Sequence, residues 1–137
     1  MTTVAMPVYR SRIAPVFDFS DSVLVINLEN NREVERSVMH LKGLPPTDRV
    51  GALTRVGVRT LVCAGISDLL KNMIENSGIR VIWGVAGDLE NVLAAFMRNR
   101  LDEPQFSMPG LEYKDSYCRK MAKPVLNETG NQSRKRR

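Results

Sequence analysis

The sequence predicts an α/β domain of three layers, a mixed five-stranded sheet with helices on both faces, followed by a flexible C-terminal tail. Two strand-like runs, "SVLVINL" at 22–28 and "EVERSVMHL" at 33–41, are joined by a short turn rich in asparagine. After them the apolar runs "RTLVCAG" at 59–65 and "IRVIWG" at 79–84 alternate with segments of helical period. Antiparallel strands followed by β-α-β units require a sheet of mixed direction, with right-handed crossovers laying helices against it. At 137 residues, 43% of them hydrophobic, the chain can enclose one core without disulfide or metal staples.

Residues 2–6, "TTVAM", form a first strand that Pro7 should stop, because proline has no N–H to give a ladder. Residues 9–21 read as an irregular connection. After the strand at 22–28, Asn30 and Asn31 can take the positive φ of a tight hairpin turn. In the strand at 33–41, Val34, Arg36, Val38 and His40 fall on one face, and Glu35, Ser37, Met39 and Leu41 on the other. Neither face is cleanly apolar, as expected at a sheet edge. Pro46 begins a helix with the weak stripe Val50, Leu53 and Val56, and Gly57 ends it. Ser67 caps a second helix with Leu69, Leu70, Met73 and Ile74 as its inner face, stopped by Gly78. Gly87 and Asp88 open a third, whose core face is Leu89, Val92, Leu93, Phe96 and Met97. The domain is expected to span 1–101. Residues 102–137 lack sustained periodicity and read as an extended, largely disordered basic tail, with Phe106 and Met108 as candidates to dock back.

The net charge of +5 is unevenly placed. The twelve Lys/Arg and ten Asp/Glu of residues 1–101 nearly cancel, whereas the tail ends in Arg134, Lys135, Arg136 and Arg137. A terminal cluster of this kind solubilises a chain as readily as it attracts phosphates, so nucleic acid is not the expected partner. No apolar stretch approaches the roughly 18–20 residues that span a bilayer, and residues 1–4 carry no secretion signal. A cytoplasmic location is expected, with the two cysteines, Cys63 and Cys118, kept as thiols.

The strongest local signal is the strand–turn–helix from Cys63 through Ala64, Gly65 and Ile66 to Ser67. In an α/β sheet, ligands favour the carboxyl ends of strands, and a tight turn into a helix offers unpaired N–H groups to an anion. A phosphate, a carboxylate or an anionic metal–sulfur cluster would suit such a turn. Cys63 beside those donors should have a lowered pKa and could offer a thiolate to a soft metal. The alternative reading is plain packing, since small residues after a strand and a buried cysteine are common. A second small, Gly-rich turn from Gly84 to Gly87 would complete a shallow pocket. His40, the one histidine, could add a single ligand. Arg10 and Arg12 could meet an anion or simply be solvated. No zinc spacing, GxGxxG, P-loop or G-x-S-x-G motif is present, and Asp18, Asp21 and Asp68 lack partners of evident geometry. The chain is therefore not expected to be an enzyme.

Taken together, "VAMPVYRSRIAPVFDFSDSVLVINLENN" at 4–31, "LVCAGISDLL" at 61–70, "SGIRVIWGVAGDLENVLAAFM" at 77–97 and "FSMPG" at 106–110 resemble the dinitrogenase iron–molybdenum cofactor biosynthesis family, the NifX- and NafY-type carriers. The resemblance covers roughly residues 3–110. It implies a ribonuclease-H-like fold without nuclease activity, and a role in nitrogen fixation: binding or handing over an iron–sulfur or iron–molybdenum cluster between the donor and acceptor proteins of metallocluster assembly. Cys63 and the backbone of residues 64–67 would form the main site, lined by Arg12 and the 84–87 turn, with His40 or Cys118 as a further ligand. The family turn often reads Cys-Gly-Gly-Ile-Gly; here Ala64 and Ser67 replace two glycines. Val16 stands where many relatives have histidine, and Leu111 follows the Met-Pro-Gly where relatives often have cysteine. The competing reading is a module that binds a small anion or a regulatory partner protein and has no metal cofactor.

Overall fold

The computed structural model describes residues 2–107. Strand β1 (Thr2–Tyr9) is followed by the two-residue β2 (Arg12–Ile13), then β3 (Ser22–Glu29) and β4 (Arg32–His40). Helix α1 (Pro46–Arg55), β5 (Thr60–Val62), α2 (Asp68–Asn76), β6 (Arg80–Ile82) and α3 (Leu89–Met97) complete the order. The main sheet runs β4-β3-β1-β5-β6, and β2 pairs with β1 off that path. β1, β5 and β6 are parallel, while β3 and β4 are antiparallel to their neighbours. The mixed α/β architecture is the one predicted, with one small strand added.

That strand comes from a segment expected to be irregular. β1 does not stop at Pro7 but runs to Tyr9. The carbonyls of Thr3 and Pro7 accept from Arg59 and Ala14, both 2.9 Å, so these odd-numbered residues turn their main chain away from β3. Proline's missing N–H therefore removes nothing from the β1–β3 ladder. Arg10 and Ser11 then take left-handed backbone, φ 51° and 67°, and fold β2 back on β1. Neither residue is a usual former of such a turn, which is why the hairpin was not legible. The β3–β4 hairpin does use Asn30 and Asn31, at φ 53° and 63°.

β4 is an exposed edge, as expected, but its alternation is broken. Asn27 faces Glu35 while Leu28 faces Glu33, so Val34 is an extra residue in the strand. The bulge moves Glu33 onto the face of Arg36. There the guanidinium binds the carboxylates of Glu33 and Glu90, the latter on α3 at 2.7 Å.

Each face of the sheet encloses its own core. Val4, Met6, Leu24, Ile26, Val62 and Ile82 pack on one face with Leu89, Val92 and Leu93 of α3. On the other, Ala5, Val23, Val25, Leu61 and Cys63 pack with Val50 and Leu53 of α1 and Leu70 and Ile74 of α2. Two expected core residues are outside. Leu69 is exposed one position off the buried stripe of α2, and Val56 is exposed just past α1. Contact with the domain continues beyond Leu101. A turn at Pro104–Phe106 returns Phe106 to the α3-side core, and its carbonyl accepts the Ala86 N–H at 2.8 Å. Met108 and the rest of the expected tail lie outside the described residues. Among the described residues no helix is long and apolar enough to cross a membrane.

Candidate functional site

The carboxyl ends of β1, β5 and β6 lie at one end of the sheet, where the sequence places both candidate turns. That end is crossed by the chain's own residues 11–18. Ile13 N–H donates to the Gly87 carbonyl at 3.1 Å, and Leu89 N–H to that of Ser11 at 2.9 Å. Arg12 bridges Asp88, and Val16 runs parallel to Gly65. Gly65 is engaged on both sides: its N–H reaches the Pro15 carbonyl and its carbonyl receives Phe17 N–H, both at 2.8 Å. Finally, the Ser67 N–H donates to a carboxylate oxygen of Asp18 at 2.8 Å.

These bonds use two of the donors predicted for an anion, the N–H groups of Gly65 and Ser67. A helix N-terminus attracts negative charge through its free N–H groups and its dipole. At α2 the negative charge is Asp18, supplied from within the chain. Ser67 caps the helix as expected, its Oγ accepting from Leu70 N–H at 3.2 Å. Gly65 is needed because a Cβ there would stand 2.9 Å from the Pro15 carbonyl. Its lack of a side chain thus serves the chain's own backbone.

Cys63 is fully buried, in the same core as Phe17 and Leu70. Burial pushes its thiol well above the ordinary range, and the nearby negative charge of Asp18 pushes it the same way. The lowered pKa expected from the turn is therefore corrected. Apolar packing penalises the charge, and the N–H groups of Gly65 and Ser67 are bonded elsewhere. Ala64 is buried beneath the sheet's other face, and Ile66 is half-buried against the core of Cys63. Gly84 has φ 82° and donates its N–H to Ala64, so the two turns bond to each other. Gly87, at φ 137°, accepts from Ile13.

Among the described residues, the other predicted ligands are not brought to Cys63. His40 is exposed at the end of β4, opposite Ser22. Three strand spacings separate β4 from β5, about 14 Å. Arg12 is exposed on β2 beside Asp88, and Cys118 lies outside the described residues. No group of three or more His, Cys, Asp or Glu capable of holding a metal occurs among the described residues. The donor set around Cys63 in this conformation does not fit a cluster: its sulfur is sealed in apolar packing, and the Gly65 and Ser67 amides are bonded to Pro15 and Asp18. The residue that sequence reasoning missed is Asp18. Its partner is 49 residues away, and no local pattern announces the pairing.

Two cavities flank this end of the domain. One of about 690 Å³ lies beside α3, between Asn91, Arg98 and Phe106. The other, about 780 Å³, opens between Tyr9, Phe19 and Val38. Neither is lined by a residue of the Cys63 turn.

No family model matches the chain, and no curated protein matches it. Solved structures do. The protein PH0822 superposes with a TM-score of 0.67 at 21% identity, covering 72% of this chain and 93% of its own. A Methanocaldococcus jannaschii protein provisionally named a dinitrogenase gives 0.61 at 14% identity, covering 72% and 89%. A Thermotoga protein, provisionally named a NifB protein and assigned to the DUF35 family, gives 0.61 at 19% identity, covering 73% and 90%. The chain shares the fold of these proteins over nearly their whole length.

Proposed function

We propose that this protein is a non-catalytic accessory protein of nitrogenase-type metallocluster assembly, acting through contact with partner proteins. The accessory class is supported by the sequence resemblance and by the names its structural neighbours carry. Contact is favoured over cluster carriage by one observation: the turn that would receive an anionic ligand is already bonded, at Gly65 and Ser67, to the chain's own Pro15, Phe17 and Asp18. An anion entering there would have to displace a charge-assisted bond and two backbone bonds, each satisfied in place.

A second reading keeps an iron–sulfur or iron–molybdenum cluster as cargo. It is favoured by the position of Cys63 at the end of β5, where its carbonyl accepts from Val85 in the neighbouring turn at 3.0 Å. Residues 15–18 would have to move aside for it. Anaerobic reconstitution with iron, sulfide and molybdate separates the two readings, using the wild type, Cys63→Ala and Asp18→Ala. The first reading expects no protein to keep stoichiometric metal after desalting. Metal with charge-transfer absorption in the wild type, lost in Cys63→Ala, would replace it with the second. Metal kept by Asp18→Ala alone would identify Asp18 as the group that excludes the cargo.

A further inference from the structure

The 780 Å³ groove at the end of β1 has an unusual combination of features on one surface. Its walls are apolar, formed by Val8, Pro15, Val16 and Val38. On its rim stands Phe19, 82% exposed, with Tyr9 and Val38 each more than half exposed beside it. Large apolar side chains grouped this way on a surface mark a contact site. The backbone carrying Phe19 is tied to the core on both sides. Phe17 is fully buried, and the buried Arg49 guanidinium donates to the carbonyls of Phe17 and Ser20 at 3.2 and 2.9 Å. An aromatic held out on a fixed backbone loses little freedom on binding, the property of an anchor residue.

The same rim carries Arg10 and Asp21. Arg10 lies over the ring of Tyr9, 5.2 Å from its centroid, and neither Arg10 nor Asp21 is in an ion pair among the described residues. The surface thus holds a knob and a hollow, and one positive and one negative group. A two-fold contact between identical chains requires a patch that complements itself. Self-association by pairing of β4 edges is blunted by the bulge at Val34 and by the charges of Glu35 and Arg36.

We infer that this groove is the two-fold interface of a homodimer. Phe19 of each copy seats in the groove of the other, and Arg10 faces the other copy's Asp21. Sedimentation equilibrium of the full chain tests this across a range of concentrations, with thermal unfolding as the check that each variant folds. The wild type should dimerise reversibly. Phe19→Ala should weaken the dimer by about tenfold or more. Arg10→Asp and Asp21→Arg should each weaken it by about tenfold, and the double exchange should recover it to within about threefold. Phe19→Ala removes only an exposed side chain, so the test survives a failure of either charge variant to fold. A wild type that stays monomeric up to about 0.5 mM, the range of very weak contacts, would overturn the inference. So would a folded double exchange that remains as weak as the single variants.

Discussion

Helices α2 and α3 begin alike and are capped differently. Each follows a parallel strand and a small-residue turn, and each has a carboxylate at its N-terminus. At α3 the carboxylate is local: Asp88 accepts from Glu90 and Asn91 N–H at 3.1 and 3.4 Å. At α2 a serine does the local capping, and the carboxylate arrives from Asp18, 49 residues earlier in the chain. The local cap fixes only where a helix starts. The distant one also ties a separate segment across the end of the sheet, closing the place where a ligand would enter. Two turns of nearly the same composition therefore have different consequences, and the difference is made elsewhere in the sequence.

The strongest test concerns what holds that segment down. Phe17→Ala removes a fully buried ring and should destabilise the domain by about 3–5 kcal/mol in urea unfolding. A loss below about 1 kcal/mol would mean that the segment is held by its polar bonds alone.

Next in size is an alkaline effect beneath the α2 turn. The Cys63 thiol is raised in the folded protein above its ordinary value of 9.0, so the unfolded chain ionises first. The stability this contributes is complete below pH 9 and is lost as pH rises beyond it, by up to about 1.4 kcal/mol per pH unit. Unfolding measured from pH 8 to 10.5 should fall more steeply for the wild type than for Cys63→Ala. Equal slopes would place the thiol in water.

The caps themselves should give smaller effects. Asp88→Ala is expected to lose about 1 kcal/mol as the loss of a local N-cap. Asp18→Ala is expected to lose about 0.5–1 kcal/mol, since the Ser67 amide it frees is exposed and water can replace the carboxylate. It should also speed hydrogen exchange at the Ser67 N–H. The two losses should add, as for sites with no shared partner. If Asp18→Ala were the costlier, the tie it makes to residues 11–18 would outweigh a local N-cap.

Smallest is the surface group on β4. Arg36, by hydrogen bonding, holds the Glu33 and Glu90 carboxyls below their ordinary value of 4.5. That stability is present above the ordinary carboxylate range and is lost as pH falls below it. Because these pairs are partly exposed, the loss should stay under about 1 kcal/mol, shrink in salt, and vanish in Arg36→Ala.

Most elements were legible because their signals are local. Asn30 and Asn31 mark a hairpin by their tolerance of left-handed backbone, Ser67 and Asp88 mark helix starts through bonds made within a turn, and Pro46 marks one by its fixed φ and missing N–H. The β2 hairpin was hidden because Arg10 and Ser11 take positive φ without belonging to the residue types that favour it. The Val34 bulge was hidden because strict alternation of "EVERSVMHL" is a fair reading until the partner strand imposes its register. Cys63 was placed correctly at a strand end, but its chemistry depended on what covers it.

The sequence by itself determined the strands, the helices and the faces they bury, since apolar periodicity and capping act over a few residues. It also determined where the two turns fall along the chain. Only the tertiary structure decided whether those turns are open. Residues 11–18 pair across the ends of β5 and β6, and Asp18 reaches Ser67, through bonds between segments far apart in sequence. Burial and electrostatics are sums over neighbours in space, so the state of a thiol or an amide is fixed by packing that no local pattern records.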